Sequence, residues 1–293
     1  MSGRKGKTVR FLTYSLSLIF LSAGMNVWAD AVKPVCAMGD SLRPYMHIDT
    51  DVGPIEIELY ERAAPKTISR LADLVKGPIF NRAFLDREDN FQPVGLYDGL
   101  VFNHIKKRLE VMSSERSPAG HFRLQAEIDA DALGLNEVII KDRAQAMMVV
   151  QRELVAAHQK ANKQTDPSSQ LGLWLQEFKK AFDPDFLIGV SRKQVNEALG
   201  YVYQTGLDSK PVTRGSVALK PYSRRMASTR LAIMLDDFPR RTGRWMVIGR
   251  VSLGLDLVDQ ISMEYLTTPG HVKPKVFTPM NPVVIRTVEI NCR

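Results

Sequence analysis

The most constraining stretch of this sequence runs from Tyr97 to Glu115. It opens with the pair Asp98–Gly99 and continues into the apolar run Leu100-Val101-Phe102. A second stretch, Leu109 to Met112, is apolar except for Glu110 and ends in polar residues with turn character. A tight Asp-Gly turn that leads into apolar residues is typical of strands, so this stretch predicts a hairpin-like strand pair.

A second hairpin is indicated upstream. Residues 45–60 alternate apolar and polar side chains on either side of the turn Asp51–Pro54. This is the pattern of two half-buried antiparallel strands joined by a turn. Ile55, Ile57 and Leu59 are expected to face the core, because alternate residues of a strand project to the same side.

Four stretches carry apolar residues at helical spacing. The first runs from Ala63 to Gly77, directly after the upstream hairpin. The other three lie in the middle of the chain, at residues 142–163, 169–182 and 191–203. Each is predicted to be an amphipathic helix, and Ser191 is suited to cap the last one. We expect the apolar stripes of the three middle helices to pack against the parent domain; a groove for a partner protein is the alternative.

In order and spacing, these segments resemble the cyclophilin-type peptidyl-prolyl isomerases. Residues 97–115 resemble the family segment Y-D-G-x-x-F-H-R-V-I-x-x-F-M-x-Q-G-G-D, and residues 53–74 resemble its opening, G-x-I-x-I-E-L-Y-x-x-x-A-P-x-T-V-x-N-F-x-x-L. Residues 213–261 follow the later family motifs x-R-G-T-V-A-M, G-S-Q-F-F-I and F-G-R-V-x-x-G-M-D-V-V-D-x-I. The resemblance covers most of Met46 to Ile290, apart from the middle helices and a long connection at residues 77–95.

The resemblance implies a mostly β fold with helices: a closed eight-stranded antiparallel β-barrel, capped by helices, that carries an α-helical insertion. The barrel domain is expected at residues 45–125 and 207–293, and the helical insert at residues 126–206. Within that insert, residues 126–135 resemble a feature of exported proteobacterial members of the family that carry a helical insert here. A short N-terminal lead, residues 30–44, precedes the barrel.

The N-terminus has the composition of a signal peptide. Four basic residues within the first ten positions precede the mostly apolar stretch Phe11 to Met25. Val27-Trp28-Ala29 then offers a small-x-small cleavage site. Residues 1–29 are therefore expected to direct export, and the mature protein is expected in the periplasm. An uncleaved membrane anchor is the alternative, and it would be the protein's only attachment to a membrane.

Net charge argues against a nucleic-acid partner. The formal net charge of the chain is +8, and removal of the four basic residues of the signal peptide leaves 8 − 4 = +4. This charge is small and scattered, whereas a nucleic-acid-binding domain needs a concentrated basic surface. The five histidines show no metal-ligand spacing, so no metal and no cofactor is expected.

The only two cysteines, Cys36 and Cys292, lie near opposite ends of the mature chain. Disulfides form and persist in exported proteins. A bond between the two cysteines is favoured because the terminal strands of a closed barrel commonly pair. Two free thiols, or a bond to another protein, are the alternatives.

The resemblance also identifies the positions that would form the proline site. In the family, an arginine donates a hydrogen bond to the prolyl nitrogen and stabilises the twisted amide. His104 occupies that position, and it lacks the permanent charge and planar fork of arginine. Leu109 and Glu110 replace the Phe and Met that wall the pocket, so that a carboxylate is expected at its rim. Met112 replaces a glutamine.

The second half of the expected site is changed as well. Arg230 replaces the pocket glutamine, and Ala232 replaces a phenylalanine, which would leave space that Trp245 could fill. Trp245 itself replaces the family histidine. Arg240 and Arg241 replace a Trp-Leu pair. Guanidinium groups at these positions suit carboxylates or phosphates; a solvated basic face is the simpler interpretation.

Two functions are therefore predicted. The first is an exported peptidyl-prolyl isomerase of protein folding whose activity is weak or lost, because every transferable pocket residue is changed. The second is a non-catalytic protein of the cell envelope that binds or assembles a partner through the basic groove or the helical insert. In both cases the expected partner is a proline-containing or acidic polypeptide.

Overall fold

A computed structural model describes residues 34–36, 43–77, 95–115, 123–263, 266–267 and 278–293. The expected signal peptide, residues 1–29, lies outside the described residues, and so does nearly all of the long connection, at residues 78–94. All described residues belong to one compact unit, Val32–Arg293.

The upstream hairpin is confirmed. Strand β1 (Pro44–Thr50) pairs antiparallel with β2 (Gly53–Leu59). Ile55, Ile57 and Leu59 are buried in the core, as the alternation predicts.

The first helix, α1 (Pro65–Lys76), is also confirmed, with Gly77 at its C-terminal end. Its N-terminus is capped from a distant part of the chain, because the carboxylate of Glu127 accepts the backbone N–H of Thr67 at 2.7 Å. Free N–H groups at a helix start need such acceptors.

The hairpin predicted from residues 97–115 is confirmed as β3 (Val101–Lys106) and β4 (Glu110–Ser113). Gly99 has a φ of 72°, which a residue with a side chain rarely adopts. This turn lets the Gly99 N–H donate to the carbonyl of Ile285 at 2.8 Å. The hairpin is thereby anchored to the last strand of the chain.

The remaining strands and the last helix complete the barrel. They are β5 (Leu124–Gln125), β6 (Ser216–Pro221), β7 (Met226–Met234), β8 (Met246–Leu253), α6 (Leu255–Met263), β9 (Leu266–Thr267), β10 (Thr278–Pro279) and β11 (Val283–Cys292). The strand order is β4-β3-β11-β1-β2-β8-β6-β7, and antiparallel pairing of β4 with β7 closes the circle. Strand β5 pairs outside this circle, and β9 pairs with β10. In the described part of the chain, the expected eight-stranded barrel is confirmed.

The middle of the chain forms the predicted helices. They are α2 (Arg143–Val149), a π-helical turn (Val150–Leu154), α3 (Val155–Lys160), α4 (Gln170–Ala181), a 3-10 turn (Asp185–Leu187) and α5 (Arg192–Ala198). Ser191 caps α5 in a capping box with Gln194. The predicted end of this helix at residue 203 is wrong, because the chain turns at Gly200, whose φ is 93°. No helix in the described part of the chain is long and apolar enough to cross a membrane.

The sequence predicted that the apolar stripes of these helices pack against the barrel. Instead, they pack mainly against one another. Eleven buried residues of the insert form a cluster of their own, distinct from the barrel core: Ile140, Ala146, Val149, Val150, Leu154, Ala157, Leu171, Leu175, Leu187, Val195 and Leu199. The insert therefore has its own small hydrophobic core.

Cys36 and Cys292 are joined by a disulfide, with their Cα atoms 5.8 Å apart. The bond connects the N-terminal lead to the end of β11. The lead is also held by a hydrogen bond from the N–H of Val35 to the carboxylate of Glu61, at 2.5 Å.

Candidate functional site

Three of the predicted site residues lie side by side on the outer face of the barrel. His104 on β3 lies opposite Met112 on β4, and Met112 lies opposite Ala232 on β7. Residues directly opposite each other in a sheet share a face. Their sequence neighbours Val111 and Ile233 belong to the barrel core, so these three side chains are on the outside.

The outer face at these strands is covered by an apolar cluster. Its buried members are Met112, Val212, Ala218, Ala232, Met234 and Val247, and Tyr60, Phe238 and Trp245 pack against them. As the sequence suggested, Trp245 packs against the cluster that contains Ala232. We call these nine residues the outer cluster.

Glu110 does not lie at a solvent-exposed rim, contrary to the expectation from the sequence. Its side chain is fully buried and forms ion pairs with Lys106 and Arg241. Burial by itself raises the pKa of a carboxyl group, but the hydrogen bonds and charges of Arg241 and Lys106 outweigh it, and the pKa of Glu110 is lowered. Glu110 is therefore a carboxylate at neutral pH.

Arg241 is held on three sides. Besides its ion pair with Glu110, its guanidinium carbon lies 4.1 Å from the ring centre of Phe238 and 4.3 Å from that of Trp245. Cations over aromatic faces are attracted by the ring electrons. Arg241 is therefore engaged within the protein and is not free to bind an anion.

A family model for the cyclophilin type peptidyl-prolyl cis-trans isomerase/CLD domain matches residues 45–290. The chain belongs to this family. The match includes all the strands of the barrel and the helical insert within its span. None of the curated proteins compared with the chain matches it.

Electrostatics at the position of the family arginine differ from those of a cyclophilin with the full set of pocket residues. Burial lowers the pKa of His104, and the positive charges of Arg230 and Lys220 lower it further. The imidazole is therefore neutral at pH 7 and can donate one hydrogen bond, without the charge that an arginine would bring to the prolyl nitrogen.

Lys220 was missed by the sequence reasoning. It lies on β6, next to the Leu219 that pairs with Leu231 on β7. Burial lowers the pKa of Lys220, and so does the charge of Arg230. The alternation of β6 could have indicated that Lys220 shares the outer face with Ala218, but the family motifs give no role to this position.

Leu109 and Arg240 lie apart from the outer cluster. Leu109 is 38% exposed in the turn between β3 and β4. Arg240 is exposed and lines a cavity of about 390 Å³ between the barrel loop and the helical insert. Arg192 and Arg244 line the same cavity, together with apolar residues such as Leu135. Arg240 therefore does not belong with His104 and Arg230.

The loop at residues 238–245, which follows the pocket motif of the cyclophilin family, is tied to the insert. Asn196 of α5 donates to the hydroxyl of Tyr203 at 2.7 Å, and this hydroxyl donates to the carbonyl of Gly243 at 2.9 Å. Burial raises the pKa of Tyr203 to about 12, so it remains a donor. Gly243 has a φ of 77°, and a Cβ there would lie 2.3 Å from Leu135.

Charged groups strengthen the same connection. Glu153, in the π-helical turn, forms ion pairs with Arg192 of α5 and Arg244 of the loop. Arg244 also donates to the side-chain oxygen of Asn196 at 2.8 Å. Burial would raise the pKa of Glu153, but the two arginines lower it overall. The insert therefore fixes the position of the loop that carries Arg241 and Trp245.

The described residues do not meet the requirements of a metal site. Within them, no group of three or more His, Cys, Asp or Glu side chains is positioned to hold a metal ion.

Proposed function

We propose that this protein is an exported, periplasmic member of the cyclophilin family in which the proline pocket has been replaced, so that its peptidyl-prolyl isomerase activity is weak or absent. The proposal rests on one observation. The face where the family motifs would build the pocket holds a buried Glu110 ion pair and a packed apolar cluster.

The chemistry of isomerisation supports this proposal. Rotation about the X-Pro bond passes through a twisted amide whose nitrogen regains a lone pair, and a fixed cation that donates to this nitrogen stabilises it. His104, at the position of the family arginine, is neutral at pH 7 and stands beside two cations that disfavour its protonation. A neutral donor gives much less stabilisation than a charged one.

The packing of the face supports it as well. A proline ring needs an open apolar pocket, and the replacement of a phenylalanine by Ala232 would provide space. Trp245 and Met112 belong to the same cluster as Ala232, so that neighbouring side chains fill the region. Glu110 and Arg241 bring charges to positions where the family has a Met and a Leu.

A non-catalytic role in binding or assembly is the second candidate. It is favoured by the insert, which has a hydrophobic core of its own and holds the loop at residues 238–245 through ion pairs. Such an arrangement suits a protein that presents a rigid surface to a proline-containing or acidic polypeptide of the envelope. The two candidates differ in whether turnover is measurable.

A protease-coupled assay of X-Pro isomerisation tests the proposal. The purified protein should be at least about 100-fold less active in kcat/KM than a family member with the full Arg, Phe, Gln and His set, which is the order of loss when one charge-stabilising donor is removed. Loss of residues 1–29 from protein recovered from the periplasm, measured by mass spectrometry, tests the export.

Activity comparable to that of a complete family member would contradict the proposal. If this activity were abolished by His104→Ala but retained in His158→Ala, His104 would be the catalytic donor. Retention of residues 1–29 in the recovered protein would instead support an uncleaved anchor.

A further inference from the structure

Two positive side chains lie next to each other on the outer face of β6 and β7. Ala218 lies opposite Ala232, and both belong to the outer cluster. Lys220 is two residues beyond Ala218, and Arg230 is two residues before Ala232, so the strand period brings both to this face. The register of β6 and β7 shifts between Leu219 and Pro221, so the two residues are not a regular cross-strand pair. They are close enough for the charge of Arg230 to lower the pKa of Lys220, and neighbouring like charges destabilise a sheet.

His104 is the third positive or titratable side chain on this face. It lies opposite Met112, and Met112 lies opposite Ala232, so His104 and Ala232 are on the same side of the sheet. Its pKa and that of Lys220 are both lowered, first by burial and then by the charge of Arg230. We call His104, Lys220 and Arg230 the basic triad.

Within the described residues, the basic triad has no carboxylate partner. None of its three side chains forms a salt bridge there, and the Nε of Arg230 is buried without a hydrogen-bond partner. Two carboxylates act on Lys220 through their charge: Glu115, and Glu110, which is already shared by two cations. A buried guanidinium N–H without an acceptor is costly, since such groups are nearly always paired.

Glu110 and Glu115 offset the repulsion only in part, because the pKa values of His104 and Lys220 remain lowered. An arrangement that costs folding stability is typical of a binding site. Here the missing group must be an anion that can accept from a guanidinium, an ammonium and an imidazole N–H. A carboxylate suits this set, because it accepts paired hydrogen bonds from arginine and retains lone pairs for the lysine.

We propose that the basic triad binds a carboxylate side chain of an acidic polypeptide segment. The choice of a polypeptide rests on the proposed function, in which the partner is a proline-containing or acidic polypeptide of the envelope. This site differs from the one suggested by the sequence. Arg241 is engaged by Glu110 and Arg240 lies in the cavity at the insert, whereas Lys220 and His104 join Arg230.

Titration calorimetry with short peptides tests this inference. The peptide Ala-Glu-Glu-Ala should bind more tightly than Ala-Ala-Pro-Ala, and its binding should weaken as salt rises to about 0.15 M, where charges are screened beyond about 8 Å. The variants R230Q and K220Q should each weaken binding of the acidic peptide by about tenfold or more. The control R286Q removes an equally cationic but exposed side chain from β11 and should leave binding unchanged.

A second measurement separates binding from a structural role. Because R230Q and K220Q remove a repulsion, both should raise the melting temperature while they weaken binding. R230K keeps the positive charge but loses the planar set of N–H donors that pairs with a carboxylate. It should therefore retain salt-dependent binding at lower affinity. If either R230Q or K220Q does not fold, binding and melting temperature are compared with the wild-type protein for the other variant alone.

Several results would overturn the inference. These are equal, salt-independent binding of both peptides, unchanged binding in R230Q and K220Q, or binding of inorganic phosphate or phosphatidylglycerol vesicles without binding of the acidic peptide. The isomerase assay is independent of these results: a protein that is inactive but binds no acidic peptide would refute the triad site alone, and an active one would refute the proposed function.

Discussion

The inner and outer faces of the same strands carry different kinds of residue. On β7, Leu231 and Ile233 point into the barrel core, and on β4 Val111 does the same. Ala232, which lies between Leu231 and Ile233, belongs to the outer cluster instead, and Arg230 is two residues before it. The inner residues are apolar and pack into the barrel core, whereas the outer face of the same strands combines charged and small side chains.

This difference shows that the barrel constrains its inner face more strictly than its outer face. The barrel closes through backbone hydrogen bonds and an apolar interior, and neither depends on the outer side chains. A charged side chain on the outer face is tolerated when a neighbouring side chain of opposite charge pairs with it. Glu110 and Arg241 illustrate this, because the charge of the buried carboxylate is balanced by the guanidinium on the same face.

The disulfide tests whether the inner core alone stabilises the barrel. Cys36 and Cys292 close a loop of 256 residues in sequence separation, and the chain-entropy model assigns to such a loop on the order of 5 kcal/mol, less any native strain. Reduction, or the double variant C36S/C292S, should therefore lower the urea midpoint strongly. If this change were negligible, the inner core would suffice without the covalent connection.

Thiol titration checks the bond itself. Protein made in an oxidising compartment, denatured without reductant, should show no free thiol. Two thiols per chain would exclude the bond.

The Glu110–Arg241 pair tests the outer face. E110Q leaves the partly buried guanidinium of Arg241 and the ammonium of Lys106 without their carboxylate, and it should cost about 3 kcal/mol or more of folding stability. The double variant E110M/R241L removes the Glu110–Arg241 pair together and leaves only Lys106, whose side chain is partly exposed and can reach water. It should therefore cost much less than E110Q. Urea denaturation of the two variants measures the difference.

A matched change on the inner face provides the contrast. F102A removes a fully buried side chain of the barrel core and should cost about 3–5 kcal/mol. If E110M/R241L were as damaging as F102A, the outer face would be as constrained as the core, and the comparison would fail.

Much of the fold could be predicted from the sequence, because its signals are local. The alternation of residues 45–60 and the turn at Asp98–Gly99 each lie within one hairpin, and the cap at Ser191 lies within one helical turn. The closure of the barrel came from the resemblance to the family. The end of α5 was misplaced because Gly200 interrupts a stripe that otherwise continues.

The candidate site was harder to predict, because its interactions join distant parts of the chain. Glu110 and Arg241 are 131 residues apart, and Arg244 and Glu153 are 91 apart. No local pattern reveals such pairs, so Arg241 was assigned to anion binding and Glu110 to an exposed rim. Lys220 was overlooked because no family motif assigns chemistry to its position.

The smallest predicted effect concerns the pH dependence of stability. His104 faces Arg230, Lys220 and Lys106, whose charges lower its pKa, and Glu110, whose charge raises it. Burial also lowers this pKa, and the net shift is downward from 6.5. In the unfolded chain His104 takes up its proton near pH 6.5, and in the folded protein only at lower pH.

The unfolded state therefore binds more protons below about pH 6.5, and the contribution of His104 to stability is lost as the pH falls from about 6.5 through the lower pKa of the folded protein. Because His104 is only half-buried, the effect should be less than about 1 kcal/mol. H104Q should show a smaller loss than the wild-type protein in urea denaturation above and below about pH 6.5, and H158Q, in the insert, controls for the removal of a histidine elsewhere. An NMR titration that placed the pKa of His104 at or above 6.5 would contradict the shift. It would also show that the charges of Lys220 and Arg230 are already compensated in the free protein, which would leave an acidic ligand nothing to neutralise.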